Sequence, residues 1–137
     1  MRLSEDEIDR VRGSFWHVSR ASRETAGLFY DRLFVMAPQL RPLFPADLED
    51  QGVKLMSMLG SIVAQLHDHD TLMPMVTDLG RRHLAYGAEP AHYEFVCAAL
   101  LDALGRTLGP EFTPEVEAAW RKAFRGLAET MIAAGEG

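Results

Sequence analysis

The chain has a single cysteine, Cys97, so no internal disulfide can staple it. A reducing, cytoplasmic setting is the expectation. Lysine is nearly absent, with Lys54 and Lys122 alone, and 14 basic residues face 20 acidic ones for a net charge of −6. That balance offers no cationic face, so neither nucleic acid nor an anionic membrane is expected as a partner. No stretch approaches the ~20 apolar residues of a membrane-spanning helix. The opening residues Arg2-Leu3-Ser4-Glu5-Asp6-Glu7 are polar where a secretory leader would be apolar. Period-2 alternation is missing over any useful length, so no strand is expected. Internal repeats and low-complexity tracts are also absent.

What remains is helical punctuation. With 137 residues and a hydrophobic fraction of 47%, the chain suits one domain, 1–137, with a sizeable core. Ser4 and Glu7 form a capping box ahead of Ile8, Val11, Phe15 and Val18. A second helix is expected from about Ser22 to Val35, ended by Pro38, with Arg41-Pro42-Leu43-Phe44-Pro45 as a turn-rich corner. A third runs from about Leu48 to Leu66, placing Gln51, Leu55, Met58, Leu59 and Ile62 on one face. His67 to Asp70 reads as a polar connection. A helix from about Leu72 to Tyr86 stops at Gly87, and the next begins near Glu89-Pro90. Gly109-Pro110 breaks that one, and Thr113-Pro114-Glu115 opens the last. The fold class is therefore all-α, with six or seven unequal helices that suit pairwise crossing around a pocket better than a regular bundle.

The informative residues are polar ones that periodicity places on apolar faces, because burying a polar group is costly without a partner. His83 follows Val76 and Leu79 at helical spacing. A neutral imidazole can give one nitrogen to a metal while the other orients it; the plainer reading is a core histidine bonded to a backbone carbonyl. Tyr30 and Gln51, on two other helices, each carry a hydrogen-bond donor that can serve a small polar ligand or simply sit half-buried. Tyr93 and Phe44 read as packing residues. No His or Cys pair has zinc spacing, no serine sits in a nucleophile motif, and the glycines form no phosphate loop.

Beyond this point the chain resembles a known family. Phe29-Tyr30-Asp31-Arg32-Leu33-Phe34 with Pro38 and Arg41-Pro42-Leu43-Phe44 is similar to the second helix and corner of bacterial haemoglobins, both the single-domain type and the globin part of flavohaemoglobins. Leu79-Gly80-Arg81-Arg82-His83, Tyr86-Gly87 and Ala91-His92-Tyr93 resemble the stretch around the family's haem-ligating histidine. Ala118-Ala119-Trp120-Arg121-Lys122-Ala123-Phe124 resembles its last helix.

The resemblance implies a globin fold, a haem b cofactor (iron protoporphyrin IX) and His83 as the iron ligand. It makes Tyr30 the distal tyrosine, Gln51 the distal glutamine 32 residues before His83, and Leu55 a wall of the ligand cavity. It assigns Phe44 to stacking on the haem and Tyr93 to orienting the histidine. Gly52 and Val53 are the neighbouring alternatives to Gln51. Arg82 and Lys54 are the candidates for the haem propionates. The glutamate that the family often sets against its histidine falls on Gly135, with Glu136 next to it. Two functions follow from the resemblance. One is reversible dioxygen binding for storage, delivery or sensing, with Tyr30 and Gln51 stabilising the ligand and carbon monoxide as a competitor. The other is nitric oxide dioxygenation to nitrate, with Tyr30 and Gln51 as catalytic residues and a separate reductase as partner. A monomer or weak dimer is expected.

Overall fold

Capping side chains set where the helices start. The computed structural model describes residues 2–136. Helix α1 spans Glu5–Ser19 and opens with the expected reciprocal cap: the Ser4 amide donates to Glu7 Oε1 at 2.7 Å and the Glu7 amide to Ser4 Oγ at 3.1 Å. Helix α2 covers Ser22–Met36, and a 3-10 segment, Pro38–Leu43, makes the corner after it. Asp47 caps α3, Leu48–Ala64, by accepting from the Asp50 amide at 3.0 Å. Helix α4 is His69–Ala85, α5 is His92–Leu108, and α6 is Pro114–Glu136 after a short 3-10 turn at Gly109–Glu111. Among the described residues there is no strand.

Three boundaries differ from the sequence expectation. Helix α4 begins at His69, three residues before Leu72, because Asp68 is an N-cap rather than part of a connection. Its carboxylate accepts from the Thr71 amide at 3.2 Å and from the Thr71 hydroxyl at 2.7 Å. Those two bonds favour the charged carboxylate and hold its pKa below the ordinary value. Pro90 lies in the turn ahead of α5 rather than in its first turn. Helix α3 ends at Ala64, two residues short of Leu66.

The helices pack in crossed pairs, α2 on α5 and α4 on α6 most extensively. Buried polar bonds pin the pairs. Trp120, 1% exposed, donates its indole N–H to Ser14 Oγ at 2.8 Å, and Ser14 passes a hydrogen bond to the Arg10 carbonyl at 2.7 Å. Thr25 of α2 meets Thr107 of α5 at 2.8 Å. Helices α3 and α4 are joined by residues 65–68 alone, yet they share hardly any contact, and the same holds for α4 and α5. Helix α4 is thus held mainly from its α6 side.

The close approach of α4 to α6 centres on Gly80. A Cβ at this position would lie 2.6 Å from the Met131 carbonyl oxygen and 2.7 Å from its Cα. Both are fixed backbone atoms, so no side-chain rotation can relieve the clash. Gly80→Ala is therefore expected to force α4 and α6 apart at a cost of about 1–3 kcal/mol, the range for overpacked sites. Thermal or denaturant unfolding measures this, and an unchanged midpoint would show that the two backbones separate freely.

Candidate functional site

The sequence-predicted polar residues sit on four helices: Tyr30 on α2, Gln51 on α3, His83 on α4 and Tyr93 on α5. On α4 the buried stripe is Leu72, Val76 and Gly80, and His83 sits half-buried at its end. Its Nδ1 lies 2.9 Å from the Leu79 carbonyl oxygen, one turn back. A carbonyl can only accept, so Nδ1 carries a proton, and in the neutral ring Nε2 keeps its lone pair. Nε2 has no hydrogen-bond partner among the described residues. The plainer reading of His83 is thus observed, with one nitrogen tied to backbone, and the other nitrogen is left without a protein partner among the described residues.

The backbone around His83 is equally fixed. Gly87 adopts φ +97°, a left-handed conformation that favours glycine. The turn lets the Ala88 amide donate to the His83 carbonyl at 3.0 Å and the Gly87 amide to the Leu84 carbonyl at 3.0 Å. That pair of bonds is a Schellman stop, one turn after the histidine. The Tyr93 ring lies 6.4 Å from the imidazole, centroid to centroid. Burial pushes the Tyr93 hydroxyl pKa up.

The other side is built on α2, the corner and α3. Tyr30 is 4% exposed and its ring meets Phe44 edge-on at 5.8 Å. Phe44 is also edge-on to Phe34 at 5.4 Å. Arg41 locks this corner by donating to the Phe44 and Pro45 carbonyls at 3.2 and 3.1 Å, with its guanidinium over Phe34. Helix α3 crosses α2 at Gly52, where a Cβ would stand 3.0 Å from Ala26 Cβ and 3.7 Å from Tyr30 Cε2. Gln51 and Leu55 flank that crossing and are half-buried, whereas Val53 is 67% exposed. Of the three alternatives at the distal position, glycine has no donor and the valine faces solvent. The Leu43 side chain reaches within 3.4 Å of a Cβ placed on Gly87, so the corner also meets the link after α4.

The structure therefore forms two aromatic pairs, Tyr30 with Phe44 and His83 with Tyr93. Neither the Tyr30 hydroxyl nor the Gln51 amide takes a protein partner among the described residues. The apolar faces expected to be core are only half-covered here: Leu55 and Met58 on α3, Leu79 on α4, Tyr93 and Val96 on α5. Elsewhere the same periodicity yields nearly complete burial, as at Val76, Ala103 and Trp120. Incompletely covered apolar faces with one free imidazole nitrogen suit an apolar cofactor that needs a nitrogen ligand.

Other expected residues make these local contacts. Arg82 pairs with Asp78 at 3.1 Å and Lys54 with Asp50 at 3.4 Å, each on its own helix. Gly135 packs beside Leu84, and Glu136 is exposed without a bond to His83. Sequence reading missed Gly80 and Arg41. Arg41 stands between two prolines in a segment whose carbonyls lack helical partners, which was a usable signal.

The family pattern described as Globin matches residues 27–131, most of the chain. The chain belongs to the globin family. It is 27% identical over 133 residues to a flavohemoprotein of Bacillus subtilis (strain 168), and 32% identical over 133 residues to a flavohemoprotein of Rhodopirellula baltica. Each alignment covers 95% of this chain and 33% of the relative, so the chain spans about a third of the length of these relatives. The fold is similar to that of a hexacoordinated heme protein from an anhydrobiotic tardigrade, with a TM-score of 0.90 at 17% identity over 98% of this chain and 96% of that one. No described helix is long and apolar enough to cross a membrane.

Burial pushes the Tyr30 hydroxyl pKa up to about 12. Folding therefore keeps a proton that an unfolded chain gives up near its ordinary value of 10.0. The stabilisation is complete below that value and is lost as pH rises through about 12. Ultraviolet titration of the tyrosines should show Tyr30 and Tyr93 ionising late, and Tyr30→Phe should remove the component near 12 while leaving that of Tyr93. An unchanged amplitude near 12 after the substitution would place Tyr30 outside the buried class.

Proposed function

We propose that residues 1–137 form a haem-binding globin unit that reversibly binds dioxygen, with His83 as the iron ligand. The observation that carries this reading is the free Nε2 of a histidine whose Nδ1 proton is fixed on the Leu79 carbonyl. Globin membership and the haem-protein relatives support it. Haem b supplies an iron centre that takes a diatomic gas. The chain's own residues set its surroundings. Phe44, Leu55 and Tyr93 wall the site with apolar surface, and His83 presents a fixed tautomer. Tyr30 stays protonated across the physiological range and so remains a donor. Its hydroxyl and the Gln51 amide donate to a polar gas and thereby favour dioxygen over the less polar carbon monoxide.

A neutral carbonyl, rather than a carboxylate, holds the His83 ring. Leu79 therefore orients the imidazole without adding negative charge to it.

Nitric oxide dioxygenation is the second reading, favoured by the similarity to flavohemoproteins. It turns nitric oxide, dioxygen and one electron into nitrate. Tyr30 and Gln51 would hold the reactants, and the electron must come from a reductase.

The deciding test is an absorption spectrum of the protein with hemin, reduced under argon and then exposed to air. A five-coordinate ferrous band that converts to a persistent oxy spectrum is expected, and no Soret band at all would overturn the reading. His83→Ala should lose the histidine-ligated spectrum. Each distal hydrogen bond contributes about 0.5–1.5 kcal/mol, so Tyr30→Phe should speed oxygen release by up to about tenfold. An unchanged release rate would remove Tyr30 from the ligand cavity. With an added flavin reductase and NADH, sustained nitric oxide consumption would favour the enzyme, and a single stoichiometric reaction would favour the binder.

A further inference from the structure

His92 opens α5, and its side chain is only 19% exposed. Three ties join it to Glu89. The His92 amide donates to the Glu89 carbonyl at 2.9 Å, and the Glu89 amide donates back to His92 Nδ1 at 3.1 Å. A backbone amide can only donate, so Nδ1 offers its lone pair and the proton of the neutral ring sits on Nε2. Nε2 in turn lies 3.5 Å from Glu89 Oε2. This tautomer is the reverse of that of His83. Both nitrogens of His92 are spent on one residue, whereas His83 keeps one free.

The turn matters because of what it joins. Helices α4 and α5 share hardly any contact, so the link of residues 86–91 is the direct connection between His83 and Tyr93. The first half of the link is tied to His83 itself, through the Ala88 amide on the His83 carbonyl. The second half is the Glu89–His92 turn. Pro90 sets its first corner, and the Tyr93 amide donates to the Pro90 carbonyl at 3.2 Å. Ala91, just ahead of α5, supplies no side-chain cap. The His92 ring fills that lack from inside the helix. It acts as the third residue of a capping box does, an acceptor reaching three residues back to a free amide.

From this we infer that His92 is a positioning residue: by closing its turn on Glu89 it fixes the start of α5 and holds Tyr93 beside the His83 imidazole. The inference rests on the reading of His83 as the iron ligand proposed above. Tyr93 follows His92 directly, and its ring is tilted 34° to the imidazole at 6.4 Å. A single hydrogen bond, to Leu79, leaves the imidazole free to rock about that contact. The Tyr93 ring limits the rocking from the side. If the first turn of α5 loosened, Tyr93 would lose burial and His83 would lose that limit. Helix α6 does not supply a substitute, since Gly135 packs on Leu84 and Glu136 makes no bond to His83.

The test is the iron–histidine stretching band in the resonance Raman spectrum of the ferrous, gas-free, haem-loaded protein. His92→Leu keeps bulk and removes the acceptor, and the band should broaden and shift. His92→Gln returns an acceptor to the Glu89 amide and should restore the band. Pro90→Gly loosens the same turn from an exposed position without touching the ring. It should shift the band as His92→Leu does, which covers the case that the leucine variant folds poorly. In both loosened variants the late ionisation of Tyr93 should move toward its ordinary value of 10.0. Haem transfer to an acceptor protein should quicken by about threefold to tenfold in both, and return to the unsubstituted rate in His92→Gln. If haem-loaded His92→Leu and Pro90→Gly both keep the unsubstituted band, or if His92→Gln fails to restore it, His92 does not position the site and the globin reading stands. An unsubstituted chain that takes up no haem overturns both.

Discussion

The close contact between Gly80 of α4 and the Met131 backbone of α6 is the constraint on which the site depends. Helix α4 packs chiefly on α6 and hardly on its chain neighbours α3 and α5. Without a tight seat on α6 it would have little to hold it. A side chain as small as alanine's at position 80 would already meet backbone. The glycine therefore lets one helix be anchored from behind while its front, bearing His83, stays uncovered. Trp120 and Ser14 secure α6 against α1 in turn, so the seat itself does not move.

Rigidity on the His83 and Tyr30 sides of the candidate site has different origins. His83 is fixed by main-chain bonds: its imidazole by the Leu79 carbonyl, its own carbonyl by the Ala88 amide. Such bonds survive most side-chain changes nearby. The Tyr30 side is fixed by shape, through Phe34, Phe44 and the Gly52 crossing, with Arg41 tying down the carbonyls of the corner. Tyr30 itself is packed without being hydrogen-bonded. A ligating histidine benefits from an invariant tautomer, and a donor that serves a transient ligand benefits from an unspent hydroxyl. The two halves of the candidate site differ in that sense.

Most of the fold was legible in the sequence because helix signals are local. Ser4 with Glu7, Pro38, Gly87 and the Gly109-Pro110 pair act on the backbone within a turn of themselves, and each marks an observed boundary. Asp68 was equally local, but its position between two histidines gave it the look of a connection rather than a cap. The polar residues on apolar faces were legible by the same periodicity. Their roles were not, since spacing places His83 and Tyr30 on inner faces but says nothing of which hydrogen bonds they make. The family resemblance supplied those roles as expectations, and it also exposed Gly135 as a departure.

By itself, the sequence determined an all-α chain, the helix limits to within a few residues, and the inward placement of Tyr30, Gln51 and His83. These follow from capping chemistry and the 3.6-residue period, which need no distant partner. Only the tertiary structure decided that α3 and α4 stand apart, that Gly80 is the pivot, and that Nε2 of His83 stays free. Each of these depends on the distance between residues far apart in the chain. A hydrophobic stripe specifies which side faces inward, but packing against other helices decides whether that side is covered or left open.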